Sequence, residues 1–397
     1  MTPLGPPVRS GLDRVLAEEI GLLQGKRVAL LCNPTSVDRE LRHAADLFRS
    51  HPEIELRALF GPEHGVRGDA QDMIATEGGV DPQTGVPVYS LYGAHAESLA
   101  PRPEMLRGID ALVFDIQGVG SRYYTYIWTL ILAMKVCARQ GIEVIVLDRP
   151  NPLGGEDVEG PLVRSGFESF VGLYPVATRH GLTPGEEARY VNEEHEVGCK
   201  LRVVKMEGWR RAMHFEETGL PWVLPSPNMP TVDTAFVYPG MCLFEGTELS
   251  EGRGTTRPFE IVGAPYVDPW KLAPALGALE LPGAAFRPLV FRPTFHKFAE
   301  KPCGGVQIHV TDRRAFRSLR TGVALLGEVR RLWPGEFKWR YRTYEFVKDK
   351  PAIDLLAGSP VLREQIDAGV PLAEIVASWR ADEDTFRRRR QKILLYD

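Results

Sequence analysis

Between Ser10 and Leu23 the apolar residues Leu12, Val15, Leu16 and Ile20 recur at helical spacing. Ser10 and Asp13 form an S-x-x-D signal at the start, so this stretch reads as a capped amphipathic helix. The run "RVALLC" (27–32) then suits a buried strand and is closed by the turn Asn33-Pro34-Thr35-Ser36. The pattern repeats: a helical stretch near 39–50, the strand "IELRALF" (54–60), then a GPEHG turn. "IDALVFD" (109–115) precedes "IQGVGSRYY", a helix follows from about Thr125 to Gln140, and "EVIVLD" (143–148) precedes "RPNPLGG". Apolar strands alternating with helices predict an α/β fold with a mostly parallel sheet covered on both faces.

The periodicity changes after about residue 230. "GLPWVLPSPNMPT" carries Pro225, Pro227 and Pro230, which interrupt any regular element and point to a domain boundary or a rigid rim loop. A strand-like segment, "TAFVYPGMCLF", leads into the charged, glycine-rich stretch 242–266. A strand is expected at Val306 to Val310, with helical pattern over 315–333 and 361–380. Arg387 to Arg390, beside Asp382, Glu383 and Asp384, read as the solvated face of a tail helix. Residues 1–230 are therefore expected to form one α/β domain and 231–397 a smaller α+β domain.

Composition narrows the function classes. The chain is 44% hydrophobic and 25% charged with a formal net charge of -4, which gives no electrostatic reason to bind nucleic acid or an acidic membrane surface. Five cysteines, Cys32, Cys137, Cys199, Cys242 and Cys303, stand far apart with no C-x-x-C pair, so neither a disulfide framework nor a zinc site is expected. No apolar leader is visible and nowhere do about 18 apolar residues run together. The expectation is a cytoplasmic protein, or a periplasmic or secreted one if a leader has been removed.

The unusual polar motifs of the first half all follow predicted strand ends, the edge where open parallel sheets bind ligands. A dinucleotide site fails, because Gly118-x-Gly120 has Tyr123 where a third glycine is needed, and no phosphate-loop lysine motif occurs. A metal on Glu63, His64, Asp115 and Asp148 has no ligand spacing to support it, and there is no G-x-S-x-G elbow for a serine hydrolase. No cofactor and no metal are expected. What remains is a crevice of carboxylates, aromatic rings and amides: Tyr123, Tyr124, Tyr126 and Trp128, with Gln117, Arg122 and Asn151. Aromatic faces with amides suit a sugar, and paired carboxyl groups suit hydrolysis of a glycosidic bond.

Seven motifs in order, "CNPTSV", "FGPEHGVRGDAQ", "DIQGVGSRYYTYI", "LDRPNPLGG", "GLPWVLPSPNMPT", "LFEGTELSEGRGTTRPFE" and "HKFAEKPCGGVQIHVTD", resemble a bacterial family of exo-β-N-acetylmuramidases of the NamZ type, formerly catalogued as a domain of unknown function. The resemblance runs from about residue 10 to Tyr396. It implies a Rossmann-like N-terminal domain, a smaller C-terminal domain and an active-site cleft between them. The implied activity is release of N-acetylmuramic acid from the non-reducing end of peptidoglycan fragments; a muropeptide or amino-sugar sensor without turnover is the alternative. On this footing Glu63 is the candidate general acid, a role that requires a protonated carboxyl, the state partial burial favours. His64 is its neighbour, Glu245 or Glu251 is the candidate base, and Tyr124 or Tyr123 a possible nucleophile or stabiliser. Arg253, or Arg122, is expected to meet the lactyl carboxylate of muramic acid. Asn33, Asp115, Gln117, Asp148, Arg149, Asn151, Asn228, Thr255 and Thr256 complete the expected substrate contacts.

Overall fold

A computed structural model describes residues 7–68 and 78–397, so Asp69, Ala70 and Gln71 of the GPEHG motif lie outside the described residues. The N-terminal sheet contains β1 (Arg27–Cys32), β2 (Glu55–Gly61), β3 (Gly79–Val80), β4 (Pro87–Ser90), β5 (Ala111–Asp115), β6 (Glu143–Leu147) and β7 (Leu201–Val204). Their spatial order is β3-β4-β2-β1-β5-β6-β7, parallel throughout except for β3 at the edge. The central strands read as continuous apolar runs because both faces are covered. On one face Leu12, Val15, Ala45 and Phe48 pack against Val28, Leu30 and Val113. On the other, Trp128, Leu130 and Ile131 of the helix Tyr126–Gln140 pack with Ala29, Leu31 and Phe114.

The first helix is shorter than its pattern. Gly11–Ala17 is helical under the Ser10/Asp13 capping box, and a 3-10 turn, Ile20–Leu22, takes up the remainder. The stretch expected from 39 becomes a helix only at Ala44–Ser50. Before it the Asp38 carboxylate accepts the backbone N–H groups of Glu40 and Arg42, and Leu41 takes a positive φ of 64°, which together make a turn rather than a helix.

The C-terminal half holds a three-stranded antiparallel sheet of β8 (Ile261–Ala264), β9 (Ala284–Phe291) and β10 (Cys303–Val310), in the order β8-β10-β9. "TAFVYPGMCLF", expected as a strand, is instead the helix Val232–Met241 followed by a 3-10 turn over Cys242–Gly246. Thr231 caps it by accepting the Thr234 N–H, and the helix is buried on nearly every side, so its apolar run carries no period to distinguish it from a strand. It crosses the helix Ser318–Leu332 at a glycine contact, where a Cβ on Gly240 would stand 1.9 Å from the Ser318 carbonyl oxygen. The expected helix at 361–380 divides into Val361–Asp367 and Leu372–Ser378, separated by Gly369 (φ 68°) and Pro371. The tail helix Arg380–Arg390 is not purely a solvated face. Arg390 is buried and donates to the carbonyls of Glu156, His180 and Gly181. One core joins the halves, with Val119, Tyr123 and Val171 packed among the apolar residues of the C-terminal helices. Among the described residues no helix is long and apolar enough to cross a membrane.

Candidate active site

β2 runs straight into the turn Pro62–Gly65, which closes when the Gly65 N–H donates to the Pro62 carbonyl at 2.9 Å. His64 takes φ 70° there, the position such turns usually give to glycine or asparagine. Gly61 cannot carry a side chain, since a Cβ would meet the Val66 nitrogen at 2.9 Å. This tight turn leaves both Glu63 and His64 on the wall of a cleft, each less than a tenth exposed. Thr125, the residue before the helix Tyr126–Gln140, donates its hydroxyl to the Glu63 carboxylate at 3.1 Å.

Tyrosines line the cleft beside Glu63. Tyr124 stands edge-on to Tyr126 at 4.9 Å and to Tyr238 at 5.7 Å, and Tyr238 meets Phe259 at 4.8 Å. Burial pushes the phenols of Tyr123, Tyr124, Tyr126, Tyr238 and Tyr344 upward, so each is a neutral hydroxyl at neutral pH. The Tyr124 hydroxyl is buried, and the neighbouring Ser226 and Tyr126 hydroxyls offset only part of that burial.

The C-terminal half supplies the facing wall through Glu245, Arg253, Tyr344 and Glu345. Glu245 accepts from Arg253 Nη2 at 2.7 Å and from the Tyr344 hydroxyl at 2.6 Å. The Arg253 guanidinium lies 5.0 Å from the Phe259 ring centre. Asn228 and Ser226 reach the same space from the proline-rich segment.

Glu251 does not line this cleft. It is fully buried among Lys297 at 2.8 Å, His296 at 3.3 Å and Arg253 at 3.5 Å. Burial alone opposes its charge, but Lys297, His296 and Arg253 together hold its carboxyl well below the usual carboxylate range.

Several other candidates serve the scaffold rather than the cleft wall. Asn33 accepts from the Thr35 N–H and hydroxyl within its own turn. Asp115 holds Arg149 through two contacts of 2.6 and 2.8 Å, and burial pushes its carboxyl up against that partner. Gln117 donates to the Gly118 and Pro150 carbonyls, and Asn151 donates to the Leu182 carbonyl. Asp148 accepts from Thr183, Gly185 and Tyr396, yet burial still raises it to about 7. Arg122 is wholly buried and donates to three carbonyls, Pro161, Val176 and Leu356, so it ties the halves together instead of facing solvent. Thr255 bonds to the Gly252 carbonyl and Thr256 is exposed.

Of the residues expected from sequence, Glu63, His64, Tyr123, Tyr124, Asn228, Glu245 and Arg253 line one cleft. Sequence reasoning missed Thr125, Ser226, Tyr238, Tyr344 and Glu345 on the same wall. Among the described residues, three carboxylates, neutral phenols and one arginine on this wall can hold a polyhydroxylated substrate and move protons at it. Among the described residues no group of three or more His, Cys, Asp or Glu side chains is placed to hold a metal ion.

Comparison with known proteins agrees with this chemistry. The family models for the exo-beta-N-acetylmuramidase NamZ match end to end, the N-terminal one over residues 28–233 and the C-terminal one over 236–396. The peptidoglycan beta-N-acetylmuramidase NamZ of Bacillus subtilis (strain 168) is 46% identical over 391 residues, covering 98% of this chain and 92% of the relative. A crystal structure of a DUF1343 family protein from Bacteroides fragilis is 39% identical, with a TM-score of 0.89 over 98% of this chain and 99% of that one. A second from the same organism is 28% identical, with a TM-score of 0.77 and the same coverage. The chain belongs to the NamZ family of exo-β-N-acetylmuramidases.

Proposed function

We propose that this member of the NamZ family is a glycoside hydrolase that releases N-acetylmuramic acid from the non-reducing end of peptidoglycan-derived fragments. The observation that carries this reading is Glu63, fixed by a strained turn at a strand end and facing a tyrosine-lined cleft together with carboxylates of the other half. Glu63 acts as the general acid and gives its proton to the oxygen that leaves C1. Thr125 fixes the orientation of that carboxyl through its 3.1 Å hydrogen bond.

The Tyr124 phenol offers a neutral donor to a sugar hydroxyl or the acetamido group, and the tyrosine rings supply apolar faces. A neutral, buried Tyr124 is a poor nucleophile, so its role here is binding. Arg253, drawn to the cleft wall by Glu245, is the group for the lactyl carboxylate that distinguishes muramic acid from N-acetylglucosamine. The test is direct. Incubated with matched chromogenic β-glycosides, the protein should cleave the N-acetylmuramide and largely refuse the N-acetylglucosaminide. Tight muramide binding with no release of the chromophore would make it a sensor instead, and equal rates on both would make it a broad hexosaminidase.

A further inference from the structure

The glycosidase reading names an acid but leaves the second carboxyl group open. Glu251 is enclosed away from the cleft. Glu245 lines it, but both of its oxygens are engaged, one by the Arg253 cation and one by the Tyr344 hydroxyl. Those two contacts hold Glu245 in place as the partner of Arg253 and Tyr344. Among the described residues Glu345 is the remaining carboxylate on the cleft wall.

Its local structure is unusual. Tyr344 and Val347 exchange backbone hydrogen bonds of 3.0 and 2.9 Å, closing a tight turn around Glu345 and Phe346. Both central residues have positive φ, 44° and 68°, a conformation that Asn-Gly adopts easily and that a Glu-Phe pair does not. Strain of this kind persists only where the surroundings impose it, and it concentrates at functional sites. Here the surroundings are visible: Phe346 packs edge-on to Tyr92 at 6.0 Å, and the Tyr92 hydroxyl donates to the Glu345 carboxylate at 3.4 Å.

Tyr92 also relates Glu345 to Glu63. β2 and β4 are hydrogen-bonded neighbours with Gly61 paired to Ser90, and the Leu91 N–H donates to the Gly61 carbonyl at 2.7 Å. Glu63 stands two residues beyond Gly61 and Tyr92 two beyond Ser90, at the ends of adjacent strands about 4.8 Å apart. The C-terminal turn therefore docks its carboxylate onto the same rim that carries the acid.

We propose that Glu345 is the second catalytic carboxylate, the base that activates the incoming water opposite Glu63. The C1–O bond to the aglycone breaks and its electron pair stays on the departing oxygen, which takes the Glu63 proton. The water oxygen bonds to C1 and its proton passes to Glu345, so one water is consumed and the anomeric configuration inverts.

The inference rests on the glycosidase reading, and the experiment separates the two. In the full-length protein, Glu345→Gln should bind N-acetylmuramic acid like wild type but lose about 100-fold or more in kcat. The loss should be similar on an unactivated MurNAc-GlcNAc disaccharide and on an aryl muramide with a good leaving group. Glu345→Asp, which keeps the charge and shortens its reach, should lose kcat with little change in KM. Azide should restore Glu345→Ala and yield the α-glycosyl azide. Activity of Glu345→Gln and Glu345→Asp within about tenfold of wild type on both substrates would overturn the assignment, and so would release of β-configured sugar as the first product. If wild type cleaves neither muramide, the glycosidase reading itself fails, whatever the variants do.

Discussion

Two glycine-flanked glutamates, one from each half, have opposite fates. Glu63, in "GPEHG", opens on the cleft and accepts a neutral hydroxyl from Thr125. Glu251, in "SEGRG", is sealed among Lys297, His296 and Arg253. Its partner Lys297 also donates to the Phe244 and Leu249 carbonyls, so this cluster stitches together the 244–251 loop that carries Glu245. The composition around the two acids is alike; what differs is the element beneath them. A turn at the end of a parallel strand projects its side chains over the sheet rim, where ligands bind. A loop folded across helices turns its charge inward and needs cations to stay there.

The contrast is broken most severely at Glu63. Glu63→Gln should keep the fold and muramic acid binding while kcat on the unactivated disaccharide falls by about 10²–10⁴-fold, the scale of lost general acid catalysis. An aryl muramide with a good leaving group should suffer much less, because its oxygen needs little protonation. Near wild-type turnover of the disaccharide by this variant would remove Glu63 from the acid role.

Glu251→Gln should leave a different mark. It strips the counter-charge from Lys297 and Arg253, which should cost about 3–5 kcal/mol of stability at neutral pH. The pH dependence has a definite sign. The folded carboxyl titrates well below the usual carboxylate range, so its contribution is full above that range and is lost as pH falls toward the depressed folded value. Urea unfolding of wild type and variant should thus show a wide stability gap at pH 7 that narrows below about pH 4. A gap that is absent at pH 7, with kcat alone reduced, would move Glu251 from scaffold to chemistry.

These two glutamates also mark where the sequence was legible. β1 begins and ends where its apolar run does, and the Ser10 cap and the motif at the end of β2 are visible because local chemistry decides them. The helix Val232–Met241 was read as a strand because a segment buried all round has no hydrophobic period. Arg122 and Asp148 read as site residues because a polar motif at a strand end looks alike whether its side chains face solvent or bind the backbone of the next loop. Glu345 offered no signal. Its turn is made by residues that disfavour it, and long-range packing, that against Tyr92 included, brings it to the cleft.

Arg253 belongs to both environments, since it contacts Glu251 at 3.5 Å and Glu245 at 2.7 Å and lines the cleft. Its removal tests whether the C-terminal cluster reaches into specificity. Arg253→Ala should lower kcat/KM for muramides by about 2–3 kcal/mol, the cost of leaving an anion partly desolvated without its partner. The faint activity on glucosaminides should change far less, so the ratio of the two substrates is the measurement. An unchanged ratio would confine Arg253 to the scaffold. Arg253→Lys should recover part of the loss, because a lysine supplies charge without the planar fork.

The smallest effect, and the one that sharpens the comparison most, comes from a third buried glutamate. Glu187 lies near the start of the helix Pro184–Glu194, in a cavity of about 30 Å³ behind Tyr124 and Tyr126, with room for about two waters. Unlike Glu251 it has no ion pair with arginine or lysine among the described residues: His180 Nε2 stands 3.5 Å from one oxygen, and the other makes no hydrogen bond there. Burial pushes Glu187 up to about 8 and lowers the His180 imidazole to about 3, so both are neutral at pH 7. The sign is the reverse of Glu251. Below about pH 4.3 the acid is protonated in both folded and unfolded chains; as pH rises to about 8 the unfolded chain ionises while the folded one keeps its proton, and stability falls across that window. Glu187→Gln, which cannot ionise, should therefore match wild type near pH 4 and become more stable by about 1–3 kcal/mol at pH 8, less than the full shift gives because the surroundings relax around a charge. Urea midpoints at the two pH values decide it. A gap that narrows toward pH 8 would mean that the carboxylate has a cationic partner after all, and that the two halves treat buried acids alike.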